Sequence, residues 1–255
     1  MEKKEMDGKK FSRSIPDKLT VEVIETLPSS IKGWLYAIGA VGHEQINLVS
    51  LKQSGSMKLK PEQKRWTVSE AEQISYTDPP AFRWVVKLKM GKGLVVTGKD
   101  SFLKGKGNMR IKLAGIIPIS KTIDDEKTNE SALQRYLMEL AWYPSAVLSP
   151  FISWEEVDET SAIATMSYEG LTGSVTYFFN EENELLKVEA WRYKDSGEDA
   201  RPLLCIGTVQ EQQVVEGLKV PVKMEITWML EEGPFTWYRF NVHDIRFNSI
   251  NGRFY

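Results

Sequence analysis

The feature that most restricts how this chain can fold is the run from Leu103 to Leu113. Apolar or small residues (Leu103, Gly105, Gly107, Met109, Ile111, Leu113) alternate there without a break with Lys104, Lys106, Asn108, Arg110 and Lys112. A period of two puts the two sets on opposite faces of a strand, one dry and one wet, which is the pattern of an antiparallel sheet. The rhythm recurs. Trp84, Val86, Leu88 and Met90 alternate with Val85, Lys87 and Lys89, and strands are expected over 162–168, 174–179, 185–193, 220–230 and 237–247. Turn signals separate these runs, among them Asp78-Pro79-Pro80, Gly91-Lys92-Gly93, Asn180 to Asn183 and Glu231 to Pro234.

Two segments break the rhythm. Pro28 opens a short helix in which Ile31, Trp34, Leu35 and Ile38 fall at helical spacing, closed by Gly39 and Gly42. A longer helix is predicted from Thr128 to Leu148. Thr128 or Asn129 caps it, Leu133, Tyr136, Leu137, Leu140 and Ala141 make one apolar stripe, and Pro144 stops it. Strands, then a helix, then strands, with no linker or internal repeat, predict a single α+β domain. The expectation is a large curved antiparallel sheet, a half-barrel of about 10–11 strands, whose concave face is covered by the helices at Pro28 and Asn129. That domain spans residues 27–255 and follows an N-terminal segment, 1–26, that is partly flexible.

Composition acts mainly by exclusion. With 33 basic and 35 acidic residues in 255, the chain carries a net charge of −2, and nucleic acid is not an expected partner. One cysteine, Cys205, excludes an internal disulfide framework and a cysteine-rich zinc site. Two histidines, His43 and His243, offer little for catalysis or metal binding, so neither a metal nor another cofactor is expected. Gly93 to Lys99 approaches a phosphate-cradling loop, but Asp100 stands where a Ser or Thr would hold magnesium, and the segment reads as strand. The first twenty residues carry six basic and four acidic side chains with no apolar run behind them, so they are not a secretory signal. Gly33 to Gly42, the longest uncharged apolar stretch, is too short to span a bilayer. The chain as it stands reads as soluble and cytoplasmic, and as membrane-associated if an anchor precedes it. Asn129-Glu130-Ser131 is a formal glycosylation sequon, better read as a helix cap.

Three features carry candidate chemistry. Eight tryptophans are unusual, since each large amphipathic ring must be buried or used. Arg135 and Glu139 stand four apart on a helix rich in aromatic residues. There the arginine could hold a carboxylate or phosphate in its fork, and a desolvated glutamate could act as acid or base. Residues 85–112 hold eight basic side chains against the single acid Asp100, which is either a solvated outer face or a surface for anionic membranes. The solvated face is the plainer reading.

Several local patterns resemble a bacterial family known only as a domain of unknown function. They are Trp66 with Ala71-Glu72-Gln73, Pro80-x-Phe82-x-Trp84, Asp100-x-Phe102-x-x-Gly105-x-Gly107, and Ala190-Trp191-Arg192. The most specific is Arg135-Tyr136-Leu137-x-Glu139-x-x-Trp142-x-Pro144. The resemblance covers most of the chain from Leu27 and implies no activity. Many members of that family carry membrane-spanning segments ahead of the domain. Its sheet-and-helix pattern is similar to that of half-barrels of the lipoprotein-carrier type.

The leading functional expectation is a non-catalytic module that binds a lipid or other hydrophobic molecule between helix and sheet. Trp84, Tyr136, Trp142 and Trp191 would line the site, with Arg135 and Glu139 at the polar end. One alternative is a hydrolase-type enzyme using Glu139 with Arg135 and Asp100. The other is a membrane-surface or protein-interaction module built on the Lys-rich strands 85–112.

Overall fold

The computed structural model describes residues 15–114 and 117–249. Among them, thirteen strands form one antiparallel sheet. The first six are β1 (Leu48–Met57), β2 (Thr67–Thr77), β3 (Pro80–Lys89), β4 (Val95–Leu103), β5 (Lys106–Leu113) and β6 (Ile117–Ile123). The other seven are β7 (Ile152–Asp158), β8 (Ser161–Tyr168), β9 (Leu171–Phe179), β10 (Leu185–Tyr193), β11 (Pro202–Val215), β12 (Leu218–Leu230) and β13 (Gly233–Phe247). The spatial order is β6-β5-β4-β3-β2-β1-β13-β12-β11-β10-β9-β8-β7, so every neighbour is a hairpin partner except β1 and β13.

Period two decides which residues face inward. On β3, Phe82, Trp84, Val86 and Leu88 are buried while Lys87 and Lys89 are exposed. The sheet has two or three strands more than expected. β7 reads as polar because it is an edge strand, exposed along most of its length, and the Gln210 to Gln213 stretch conceals the second half of β11. The packed body also begins before Leu27, since Ile15, Leu19 and Ile24 are buried, the last in a short helix α1 (Val21–Ile24). Residues 1–14 of the expected flexible segment lie outside the described residues.

The short helix is α2 (Ser29–Ala37), as expected, and its Trp34 packs against Tyr177 and Phe179 of β9. The long helix is shorter than its apolar stripe suggested. It is α3 (Glu126–Met138), followed by two 3-10 turns, Leu140–Trp142 and Pro144–Leu148. Pro144 lacks the N–H a continuing helix would use and forces Tyr143 out of helical geometry, to φ −144 and ψ 64. The cap is Asp125, whose carboxylate accepts from the Thr128 N–H at 2.9 Å. Asn129 is instead buried, with its Oδ1 accepting the Gly107 N–H at 2.7 Å.

The sheet curls around α3, which packs against β3, β4 and β5 on one limb and β8, β9 and β10 on the other. Phe102 on β4 meets Tyr168 on β8 edge-on at 6.1 Å, although eight strands separate them in the sheet. Glycines seat the helix on both limbs. A Cβ at Gly107 would stand 2.6 Å from the Thr128 carbonyl oxygen, and one at Gly173 would stand 2.7 Å from Gln134 Cγ. The β9–β10 ladder ends at Thr176 and Glu189, and α3 takes over from there. Gln134 Nε2 donates to the Trp191 carbonyl and Ser131 Oγ to that of Tyr193, both at 2.8 Å, so β10 keeps its backbone bonds.

Candidate functional site

Between α3 and the inner faces of β10 to β13 lies a cavity of about 470 Å³, with β1, β3, β4 and β5 closing its other side. It extends along β12 from Pro221 to Trp228, about 23 Å at strand rise. Its apolar part includes Met138, Trp142, Val188, Met224 and Phe240. The rim is formed just beyond the ends of β1 and β10, by Lys58, Leu59 and the 194–196 segment.

Several of the lining rings also pack against one another. Tyr238 stacks on Phe240 at 4.4 Å, Trp84 meets Tyr238 edge-on at 6.3 Å, and Trp142 lies 6.3 Å from Phe240. Their polar tips are fixed. Trp84 Nε1 and the Tyr238 hydroxyl both donate to Gln53 Oε1, at 2.9 and 3.0 Å, and Trp142 Nε1 donates to the Pro221 carbonyl at 2.9 Å.

Arg135, Asp100 and Glu139 come together on one wall of this cavity. Arg135 Nη1 donates to Asp100 Oδ2 at 2.7 Å and Nε to Glu139 Oε1 at 2.9 Å. Gln73 joins them, accepting from Arg135 Nη2 at 3.3 Å and donating to Glu139 Oε2 at 2.5 Å. The guanidinium also lies 4.9 Å from the ring centroids of both Phe82 and Trp84. The three side chains are 17%, 13% and 11% exposed. Burial alone would favour the neutral arginine, but the two carboxylates outweigh it and hold its pKa above the ordinary value. With its charge matched twice over, Arg135 works as a clamp between α3, β2 and β4. Each Glu139 oxygen accepts one hydrogen bond, Oε1 from Arg135 and Oε2 from Gln73.

Of the other residues expected to line the site, Trp84 and Trp142 are on the cavity wall. Tyr136 is fully buried on the far side of α3, packed against Phe102 and Tyr143 at 6.5 and 5.2 Å. Trp191 points the other way and is 63% exposed, because Val188, Ala190 and Arg192 share the inner face of β10 and the residues between them face out. In its place the inner face supplies Arg192, with Cys205 and Trp228 from β11 and β12. Neither histidine approaches this wall. His43 packs against Gly217 at the β11–β12 turn, and His243 is half exposed beside Asp244. Lys87, Lys89, Lys99, Lys106, Arg110 and Lys112 are on the outer face, where Lys89 pairs with Glu70 and Lys106 with Asp124, both at 2.5 Å. Among the described residues no cluster of His, Cys, Asp and Glu has the makings of a metal site.

Cys205 faces the cavity but has no solvent-exposed surface, and burial pushes its thiol pKa up although neighbouring Arg192 pulls the other way. A charged thiol reagent is therefore expected to leave native Cys205 unmodified. Modification should appear at the denaturant concentration that unfolds the sheet, and fast labelling of the folded protein would contradict this burial.

The structure thus defines a class: an open antiparallel half-barrel wrapped on one helix, with a deep, largely apolar cavity between them. The chain belongs to a family of unknown function, DUF6920, whose model matches residues 25–247. No protein of curated function matches it. Among solved structures it is similar to a LolA superfamily protein from Nitrosomonas europaea, at 10% identity and a TM-score of 0.45, over 87% of this chain and 94% of that one. The half-barrel assignment here stands on the strand order and the helix contacts of this chain. No helix of the described residues is long and apolar enough to cross a membrane.

Proposed function

We propose that the domain is a binding module, without catalysis, for a lipid-like or other hydrophobic small molecule held between α3 and the sheet. The supporting observation is the cavity itself, whose volume of about 470 Å³ falls within the range of small-molecule sites, roughly 300–1,000 Å³. Its apolar lining favours an extended hydrocarbon guest, and the two methionines, Met138 and Met224, can adapt to one without a fixed shape.

The test is a chain-length series. Delipidated protein is titrated with straight-chain alcohols and occupancy is read by native mass spectrometry. Each added methylene should tighten binding about fourfold, from ~0.8 kcal/mol per buried CH₂, until the cavity is full. Affinity that does not change with chain length would overturn the reading.

A further inference from the structure

Arg192 differs from Arg135 in one respect that matters. The residue is half-buried on the cavity wall, yet every partner it has among the described residues is neutral. Nε and Nη2 donate to Ser131 Oγ at 3.3 and 3.1 Å, and Nη2 also donates to the Ser131 carbonyl at 2.9 Å. Nη1 meets two sulfurs, Met138 Sδ at 3.7 Å and Cys205 Sγ at 3.9 Å, which are weak acceptors. The Trp228 ring lies 5.7 Å away. Among the described residues no carboxylate is within ion-pairing distance. A cation taken from water without a counter-charge is costly, so this one is suited to an anion that arrives with a guest.

The surroundings fix where that anion would sit. The Arg135, Asp100 and Glu139 wall carries one more negative than positive charge and repels an anion from that side. Arg192 lies two residues before the 194–196 rim, while Val188 and Leu185 continue the same strand into the apolar interior. We infer that Arg192 binds the anionic head of the guest, which makes that guest an amphiphile with a carboxylate or phosphate at one end. Its chain runs inward past Val188 and Met224 towards Trp142. This rests on the proposed binding function and specifies the ligand class.

The experiment compares palmitate, hexadecyl phosphate and hexadecanol, with acetate and inorganic phosphate as chainless heads. Wild-type protein should bind both anionic amphiphiles about tenfold to a hundredfold more tightly than the alcohol, the range expected of a charge-assisted hydrogen bond. Arg192→Gln should remove that preference, so that palmitate, hexadecyl phosphate and hexadecanol bind the variant within about twofold of one another, and Arg192→Lys should keep part of it. Acetate and phosphate should bind weakly or not at all. Equal wild-type affinity for palmitate, hexadecyl phosphate and hexadecanol overturns the role of Arg192 and leaves the binding function standing. If none of the three binds, the binding function itself fails. Loss of hexadecanol binding in a folded Arg192→Gln protein would show a purely structural arginine. Free phosphate binding as tightly as hexadecyl phosphate would overturn the amphiphile. Should Arg192→Gln not fold, the wild-type comparison decides alone.

Discussion

Replacing Arg135 with alanine is expected to lower folding stability by about 3–5 kcal/mol, measured as a shift in the urea midpoint at constant slope. The size of the effect comes from what is left behind. Asp100 and Glu139 would remain as neighbouring, mostly buried carboxylates with no cation between them, and Phe82 and Trp84 would lose the group that lies against both rings. The control is Arg135→Met combined with Asp100→Leu and Glu139→Met. Exchanging a whole buried ionic cluster for apolar residues of similar size is often neutral or stabilising. Recovery in the triple variant, together with retained binding of a hydrophobic guest, marks the cluster as a structural clamp. Recovered stability with lost guest binding would instead place the cluster in the binding chemistry.

A smaller but clear loss is expected at Gly107. Glycine ordinarily weakens a strand, so alanine at an unobstructed position should stabilise. At Gly107 the sign should reverse, because the new methyl would meet the backbone oxygen of Thr128 at 2.6 Å and Ala132 Cβ at 3.0 Å. Gly107→Ala should cost about 1–3 kcal/mol, and Gly107→Val more, because α3 cannot retreat without leaving β10 and Gly173 on the opposite limb. Gly91→Ala, where nothing lies within 4 Å of the new atom, should be neutral or slightly stabilising. Equal melting temperatures for Gly107→Ala and Gly91→Ala would show that α3 is not seated as described.

Much of this was legible in the sequence because period two carries its own geometry. The alternation from Leu103 to Leu113 places Gly107 and Ile111 inward and the lysines outward, as observed. The same rule, applied one residue further, would have chosen Arg192 over Trp191. Val188 and Ala190 set the inner face, and the arginine falls on it. The size of the tryptophan ring drew attention to the wrong parity. The charged cluster was half legible. Arg135 and Glu139 are helix neighbours, but Asp100 and Gln73 come from strands β4 and β2, and no local pattern shows that a helix will descend onto them. The shortened α3 has a local cause that apolar spacing conceals, since the stripe continues through Leu140 and Ala141 after the backbone has already changed.

The strand order also bears on how the molecule assembles. Among the described residues, all eleven ladders within the two meanders join strands that follow one another in the chain, so each meander is a local arm. Within the sheet the two arms are joined by one ladder, the seam of β1 to β13, where Val49 lies opposite Phe247, roughly two hundred residues away. Closing that seam demands the longest loop in the protein, so its formation should set the pace of folding. Substitutions that weaken the Lys52 to Met57 part of the seam should slow refolding more than equal losses within either arm.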